Sequence, residues 1–216
     1  MLIQPDPLGK IRAFVGAFAG GLILLCTTLP TNAAPIDSAR SRVVATFRQM
    51  NVPIEGNFKR ISGDVVFDAA HPQDAKAVLE VDLASFDLGP GTEDYAQEVR
   101  HKDWFDTARF PRATFTLSGA RALGPDRFEA RGKLALKGRV VDLVATIARQ
   151  VDAGAQKFEG QVPIRRLAFG IGEGEWRDPS VVADEVIVRF QLLVPSSSAA
   201  GSHNATPAGS ASSGRK

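Results

Sequence analysis

Residues 102–117 read KDWFDTARFPRATFTL, and the two halves of this stretch differ in character. The first half concentrates large aromatic side chains with neither a helical nor a strand period, and these are Trp104, Phe105 and Phe110. Pro111 holds the residue before it in an extended conformation and ends any helix. Beyond the proline, apolar and hydroxyl side chains alternate over residues 113–118, which predicts a strand with one apolar face. We therefore expect an aromatic loop that lies across the end of a sheet.

Seven further segments show the same alternation with a period of two. They lie at residues 43–48, 61–67, 79–84, 127–137, 141–147, 158–164 and 186–194. The turn at Lys137-Gly138-Arg139 is the strongest hairpin signal among them. Alternation with one polar face is typical of an antiparallel sheet. The sequence therefore predicts an all-β fold with eight strands.

Closure of these strands into a barrel is favoured by small residues at inward positions. The glycines among them are Gly63, Gly132 and Gly160. Eight strands is also the number at which a barrel either fills with side chains or holds one small ligand. A turn is expected over 53–56, and a short helix over 92–101 with Thr92 as its N-cap. The prediction is an eight-stranded antiparallel barrel with one short helix and an aromatic loop at its mouth.

Both ends of the chain read as segments outside this domain. Lys10 and Arg12 precede an apolar run over residues 13–25, and small residues at 31–33 match a cleavage site. This pattern predicts a secretory signal peptide and a periplasmic or secreted mature protein. The final segment is rich in Ser, Ala and Gly, a composition typical of disorder. The predicted boundaries are 1–33 for the signal peptide, 34–194 for the barrel and 195–216 for a disordered tail.

Charge and cysteine content exclude several classes of function. Removal of residues 1–33 leaves 24 basic and 23 acidic residues and takes away Cys26, the single cysteine. A domain so close to neutral has no electrostatic field with which to attract nucleic acid or an anionic membrane. The mature chain is therefore expected to carry out no thiol chemistry and to bind no nucleic acid.

Candidate catalytic and metal-ligating groups are few. His101 has acidic neighbours in Glu98 and Asp103, but zinc sites generally need three or four protein ligands. The sequence has neither a Gly-x-Ser-x-Gly elbow nor a phosphate-binding loop, and Asp103 with Asp106 is the remaining carboxylate pair. We expect no metal and no catalysis. The alternative is an enzyme for a small apolar substrate that uses Glu98, His101 and Asp103.

Short motifs along the chain resemble, in order and spacing, those of the YceI-like family of exported polyisoprenoid-binding proteins. They are Gly56-Asn57-Phe58, Ser62-Gly63, Val66-Phe67-Asp68, Ser85-Phe86-Asp87, Asp103-Trp104-Phe105-Asp106, Phe110-Pro111, Ala113-Thr114-Phe115, Gly132-Lys133-Leu134, Lys137-Gly138 and Gly172-Glu173-Gly174-Glu175-Trp176. Residues 95–99 depart from the Arg-Asp-x-His-Leu element of the family, so no role of that Arg or His is carried over. The resemblance implies a lipocalin-like barrel without enzymatic activity or a covalent cofactor. It further implies a bound polyisoprenoid, such as a ubiquinone-type or polyprenyl chain.

The barrel interior has two readings from the residues alone, a dry packed core or an open apolar lumen. Inward alanines and glycines favour the lumen, which would bind a long apolar molecule. Trp176 either contacts that ligand or covers the rim. The predicted lumen and mouth residues are Phe47, Val65, Phe67, Val81, Leu83, Trp104, Phe105, Phe110, Phe115, Leu117, Phe128, Leu134, Leu143, Ile147, Trp176, Val188 and Phe190.

A different class of function is a filled barrel that acts as an interaction module. Its rim loops, around Trp104 and Trp176, would dock a membrane protein such as a b-type cytochrome. Unpaired strand edges in an imperfectly closed barrel would also permit a homodimer.

Overall fold

The computed structural model describes residues 33–152 and 154–195. The predicted leader and tail therefore lie outside the described residues, except for Ala33 and Pro195. Within the described residues, no helix is long and apolar enough to cross a membrane.

The described residues form one antiparallel sheet of eleven strands, which confirms the all-β, lipocalin-like prediction. The strands are β1 (Ala34–Pro35), β2 (Arg42–Gln49), β3 (Val52–Phe58), β4 (Ile61–Val66), β5 (Lys76–Asp82), β6 (Phe86–Asp87), β7 (Arg112–Gly124), β8 (Arg127–Leu136), β9 (Arg139–Asp152), β10 (Ala155–Arg165) and β11 (Glu185–Pro195). Their order in the sheet is β1-β4-β5-β7-β8-β9-β10-β11-β2-β3-β6. Short 3-10 helices span Pro72–Asp74, Leu83–Ser85, Arg166–Phe169 and Gly174–Arg177.

The sheet closes through the covalent chain. β3 pairs with β2, and β4 pairs with β5. β3 and β4 therefore stand near opposite ends of the strand order. Yet only Lys59 and Arg60 separate them in sequence. β3 and β4 are therefore two halves of one extended segment, bent at these two residues. The backbone N–H groups of Lys59 and Arg60 donate to the carbonyl and hydroxyl oxygens of Ser85, which fixes the bend.

The strand count differs from the predicted eight chiefly because residues 53–56, predicted to form a turn, lie within β3. The turn lies earlier, at Met50 and Asn51, whose φ angles are 47° and 66°. Pro53 has no N–H to donate, and it is tolerated in β3 because this part of the strand pairs on one side with β2 alone. The other additions, β1 and β6, have two residues each.

The predicted helix is present but shorter than expected. Helix α1 spans Glu93–Glu98, against the predicted 92–101. Thr92 makes no side-chain cap, because its hydroxyl donates instead to the carbonyl of Gly89 at 2.6 Å. The chain after α1 turns tightly, and the carbonyl of His101 accepts the N–H groups of Trp104 and Asp106.

Candidate functional site

The interior of the barrel holds two apolar chambers. The lower chamber has a volume of about 170 Å³ and is lined from every strand of six or more residues except β3. The upper chamber has a volume of about 140 Å³ and lies beneath the aromatic loop, which comprises residues 102–111. Ser62 and Glu80 are the polar residues on the lower wall, and Arg166 is the charged residue on the upper wall.

A ring of six residues belongs to the walls of both chambers, and we call it the waist. Each of the six comes from a different strand: Val43, Val81, Ala113, Leu134, Ile164 and Val188. Because they are shared, the chambers meet end to end at this level of the barrel. Together they form one apolar interior that extends on both sides of the waist.

Aromatic rings close the lower chamber at the end away from the aromatic loop. Phe67 meets Phe128 and Phe158 edge-on, with 5.0 Å between ring centroids in each pair. Phe128 is 1% exposed and packs in the core instead of lining the chamber. The guanidinium of Arg149 covers the outer side of Phe67 at 5.8 Å from its centroid. This cluster forms the floor of the barrel.

The inward glycines Gly132 and Gly160 were expected to leave empty space in the lumen, but each lies against an aromatic ring. A Cβ atom on Gly132 would lie 2.5 Å from the ring of Phe115, and one on Gly160 would lie 2.7 Å from the ring of Phe190. The space above each glycine is therefore occupied by a ring from the neighbouring strand. The glycines let these rings lie close against the wall, and in this way they leave the lower chamber open.

The upper chamber is richer in aromatic residues. Phe58 contacts Phe86 and Phe105, with centroids 4.9 and 6.1 Å apart, and Phe86 meets Phe105 at 5.7 Å. Trp104 lies beside them on the chamber wall, and Trp176 packs on Trp104 at 5.6 Å. The chamber thus has flat ring surfaces on one side and aliphatic side chains at the waist.

Two loops cover the upper chamber, the aromatic loop and residues 170–173, and we call them together the lid. Polar contacts join the two loops. The carbonyl of Asp103 in the aromatic loop accepts the N–H groups of Gly172 and Glu173, at 2.8 and 2.9 Å. The ammonium of Lys137, from the β8–β9 hairpin, donates to the carbonyls of Lys102 and Gly170. Burial lowers the pKa of Lys137, and the two carbonyls compensate in part for its lost hydration. The hairpin predicted at Lys137-Gly138-Arg139 is therefore also a support for the lid.

Arg166 is a buried cation held by carbonyl oxygens. It is 2% exposed, and its five N–H groups donate to five backbone carbonyls at 2.6 to 3.1 Å. The acceptors are Ile171, Gly172, Trp176, Val182 and Ala183. Burial lowers the pKa of Arg166, and the charge of Asp184 opposes that shift. The guanidinium orders the loop that follows β10 and has no donor left for a ligand.

The candidate catalytic residues do not assemble into a site. His101 and Glu98 form an exposed pair at 3.3 Å on the surface of the protein. Asp106 is 8% exposed with a φ of 52°, and its carboxylate accepts from Arg109, so it is a turn residue. Over residues 33–152 and 154–195, the structure has no group of three or more His, Cys, Asp or Glu side chains that could hold a metal ion.

Most of the residues predicted from sequence to face the lumen lie on a chamber wall. Those on the lower wall are Val65, Phe67, Val81, Phe115, Leu117, Leu134, Leu143, Ile147, Val188 and Phe190. The upper wall adds Phe47, Leu83, Trp104 and Phe105. Contact of these side chains with a ligand stays a prediction.

Three of the predicted residues line neither chamber. Phe110 lies over Gly138, where a Cβ atom would be 2.9 Å from its ring, and beneath the guanidinium of Arg109. Phe128 lies in the floor, and Trp176 packs on the outer side of Trp104. Phe110 and Trp176 are thus placed to support the lid.

Sequence reasoning also missed several wall residues. Phe58 and Phe86 appeared only within motifs, and strand patterning did not reach them because β3 was assigned to a turn and β6 is short. Val99 belongs to the segment that departs from the family motif, yet it is buried and lines the upper chamber. Arg166 carried no signal at all, since a basic residue at a strand end is ordinarily exposed.

Comparisons with known proteins agree on one family. The family model described as the YceI-like domain matches residues 35–194. A UPF0312 protein of Azotobacter vinelandii is 32% identical over 123 residues, which cover 54% of this chain and 62% of that protein. A UPF0312 protein of a Shewanella species is 26% identical over 152 residues, which cover 69% of this chain and 78% of the relative. The match to the Azotobacter relative thus spans less than two thirds of its length.

Solved structures give the same picture. BcnA of Burkholderia cenocepacia superposes with a TM-score of 0.70 at 42% identity, covering 73% of this chain and 98% of BcnA. A polyisoprenoid-binding domain of Saccharophagus degradans, implicated in plant cell wall breakdown, superposes with a TM-score of 0.60 at 20% identity. That match covers 76% of this chain and 99% of the domain, and it shows the shared fold. On the match of the domain model from residue 35 to residue 194, this chain belongs to the YceI-like family.

Proposed function

We propose that this chain is an exported carrier that holds an apolar, chain-like lipid of the polyisoprenoid class in its two chambers. The lipid would be stored or transported through an aqueous compartment, and the protein would act by binding and not by catalysis. The observation that carries the proposal is the pair of apolar chambers joined end to end at the waist. The signal-peptide pattern of residues 1–33 supports export.

The energetics of such a site favour a long hydrocarbon over a small polar ligand. Burial of each CH2 group contributes roughly 0.8 kcal/mol, so a few isoprene units are enough for tight binding without a specific hydrogen bond. The walls of both chambers are aliphatic or aromatic almost throughout. A polar ligand would lose its hydration there and gain few partners in return.

The printed description of the Saccharophagus degradans domain supports the choice of lipid class. Within this class, the more specific ligand that we propose is an isoprenoid with a quinone head group. Docking of a membrane protein such as a b-type cytochrome, and formation of a homodimer, stay predictions.

The test is to recover the lipid from the protein and then to exclude it with a single substitution. Protein purified from its native host is extracted with organic solvent, and the extract is analysed by mass spectrometry. We expect about one polyisoprenoid per chain. Val188→Phe adds volume at the waist and should reduce the lipid content severalfold, because the larger ring fills space shared by both chambers.

The matched control is Ile187→Phe, which places the same ring on the same strand with the opposite orientation, since successive strand residues face opposite sides. It should retain the lipid. If wild-type protein yields no isoprenoid and the delipidated protein takes up none, the carrier proposal is wrong.

A further inference from the structure

The wall of the lower chamber is paired strand to strand except at one place. The ladder runs without a break from β4 through β5, β7, β8, β9 and β10 to β11. The ladder between β11 and β2 ends at Gln191, so the last residues of β11, including the chamber residue Leu192, pair with β10 alone among the described strands. β4 has its long partner, β5, on the side away from β11. A gap in the wall therefore separates β4 from the end of β11.

Residues 34–36 fill this gap, and we call them the strap. Ala34 and Pro35 form β1 and pair with β4. The N–H of Ile36 donates to the carbonyl of Gly63 at 2.9 Å. Ile36 is 7% exposed, and its side chain lines the lower chamber. A very short strand edge thus supplies the closing part of the wall.

The turn after the strap is anchored independently of it. The carboxylate of Asp37 accepts the N–H groups of Ala39 and Arg40, both at 3.1 Å, and the guanidinium of Arg40 at 2.6 Å. On β11, the carbonyl of Leu193 accepts the N–H of Asp37, and the N–H of Leu193 donates to the hydroxyl of Ser41. This turn is held to β11 by bonds that do not involve the strap. The strap can therefore leave β4 while the turn stays in place.

The other two closures of the barrel are held more firmly. The loops of the lid are joined at the carbonyl of Asp103 and by the ammonium of Lys137, and the caged guanidinium of Arg166 orders the loop after β10. Packed aromatic rings close the floor. The strap depends on the edge of β4 and on one apolar side chain. Its opening therefore breaks the fewest interactions.

We infer that the strap is the portal of the barrel. It swings away from β4 about Asp37 and admits an apolar chain between β4 and β11 into the lower chamber, and Ile36 then returns to the wall and covers the guest. The predicted cleavage after Ala33 would place the strap at the start of the mature chain, with one end free to move. This inference rests on the carrier function proposed above and adds the route by which the lipid enters and leaves.

The first experiment locks the strap with a reversible disulfide. Because Ile36 and Gly63 share a hydrogen bond, the next pair, Pro35 and Asp64, is a non-hydrogen-bonded pair, and both of its side chains are exposed. The Cα atoms of such a pair lie about 4.5 Å apart, within the range of a disulfide. Pro35→Cys with Asp64→Cys therefore closes the strap when oxidised and frees it when reduced. Cys26→Ser is included in every variant, so that only the introduced pair can oxidise.

The rates of uptake and release are measured on delipidated full-length protein with radiolabelled farnesol, an isoprenoid alcohol. We expect oxidation to slow both rates roughly tenfold or more and reduction to restore them. The amount bound at equilibrium should not change, because a portal alters the barrier and not the bound state. The matched disulfide, Lys133→Cys with Asp142→Cys, joins β8 and β9 on the outer surface and should leave both rates unchanged.

A second pair of variants tests the portal without a disulfide. Ile36→Ala removes the side chain that spans the gap and should speed uptake and release severalfold. Ile147→Ala removes the same side chain from β9, at 8% exposure against 7%, where the wall is paired to β8 and β10. Both substitutions enlarge the lower chamber and should alter the amount bound alike. Only Ile36→Ala should change the rates.

Each contrary outcome has a definite meaning. If the oxidised strap exchanges farnesol as fast as the reduced one, or if both disulfides slow exchange equally, the portal is wrong and the carrier function stands. Faster exchange in Lys137→Asn, with no effect of the locked strap, would place the entrance at the lid instead. If the wild-type protein binds no farnesol, the portal and the carrier function fail together.

Discussion

Gly132 lies directly beneath the ring of Phe115, and this contact shapes the lower chamber. A Cβ atom at this position would lie 2.5 Å from both the ring and the carbonyl oxygen of Thr116. Gly132→Ala should therefore push the ring of Phe115 into the chamber and lower the free energy of unfolding by about 1–3 kcal/mol, as overpacking does. Urea denaturation gives the stability, and uptake of an isoprenoid reports the remaining space.

The control for this substitution lies beside the turn of the β7–β8 hairpin. A Cβ atom on Gly124 would meet no atom within 4 Å, and the residue does not have a positive φ angle. Gly124→Ala should leave both stability and uptake near the wild-type values. Equal effects of the two substitutions would mean that the contact with Phe115 does not set the chamber.

Single residues also mark the limit of what the sequence reveals. The alternation along β8 predicted that Phe128, Leu134 and their neighbours face inward, and the structure agrees. The same pattern does not tell whether an inward glycine leaves a void or accommodates a ring, because that depends on the side chain across the ladder. The carbonyl cage of Arg166 is equally invisible, since its acceptors are backbone atoms brought together by folding.

The β8–β9 hairpin does more than connect two strands. Lys137 has a φ of 47° in its turn, and its ammonium joins the aromatic loop to the loop at Gly170. In Lys137→Asn, the asparagine tolerates the left-handed conformation, but its side chain is too short to reach both carbonyls. We expect a loss of about 1–2 kcal/mol and faster hydrogen exchange at Gly172 and Glu173, whose N–H groups bind the aromatic loop.

Lys133→Asn on the preceding strand is the comparison for the hairpin substitution. Lys133 is exposed and pairs with Asp142 on the outer surface, a kind of pair that contributes little. Loss of the pair between Lys133 and Asp142 should leave hydrogen exchange in the lid unchanged. Unaltered exchange in Lys137→Asn would show that the lid is held by other contacts.

Elements with a clear period were predicted well, and elements defined by a bend were not. Eight of the nine strands with six or more residues were expected from alternation, and the hairpin at Lys137-Gly138 was expected from its glycine. β3 was missed because Pro53 and Gly56 are ordinarily turn residues. In this barrel both are tolerated, because Pro53 lies where β3 pairs on one side only and Gly56 lies against the ring of Phe86.

The barrel as a whole depends on the bend between β3 and β4. Insertion of two glycines after Lys59 would uncouple the register of β3 on β2 from that of β4 on β5 and remove the contacts to Ser85. We expect a loss of about 2–4 kcal/mol and of lipid uptake, measured by denaturation and by extraction. The site is solvent-exposed, so exposure alone would not forecast this loss.

The same insertion after Pro125 is the reference for that experiment. Pro125 lies in the exposed turn between β7 and β8, where added residues lengthen a loop at small entropic cost. Stability and uptake should there stay close to wild type. A barrel that tolerated both insertions equally would not depend on the bend for its closure.

The waist has a consequence for the shape of a guest, because both chambers share its six residues Val43, Val81, Ala113, Leu134, Ile164 and Val188. A guest that occupies both compartments must cross this level of the barrel, where it is surrounded by aliphatic side chains from six strands. A slender molecule such as an isoprenoid chain is therefore expected to occupy both compartments, whereas a fused-ring molecule of sterol shape is expected to stop short of the far one. Selectivity by cross-section thus follows from the arrangement of the strands, before any particular chemical group is recognised.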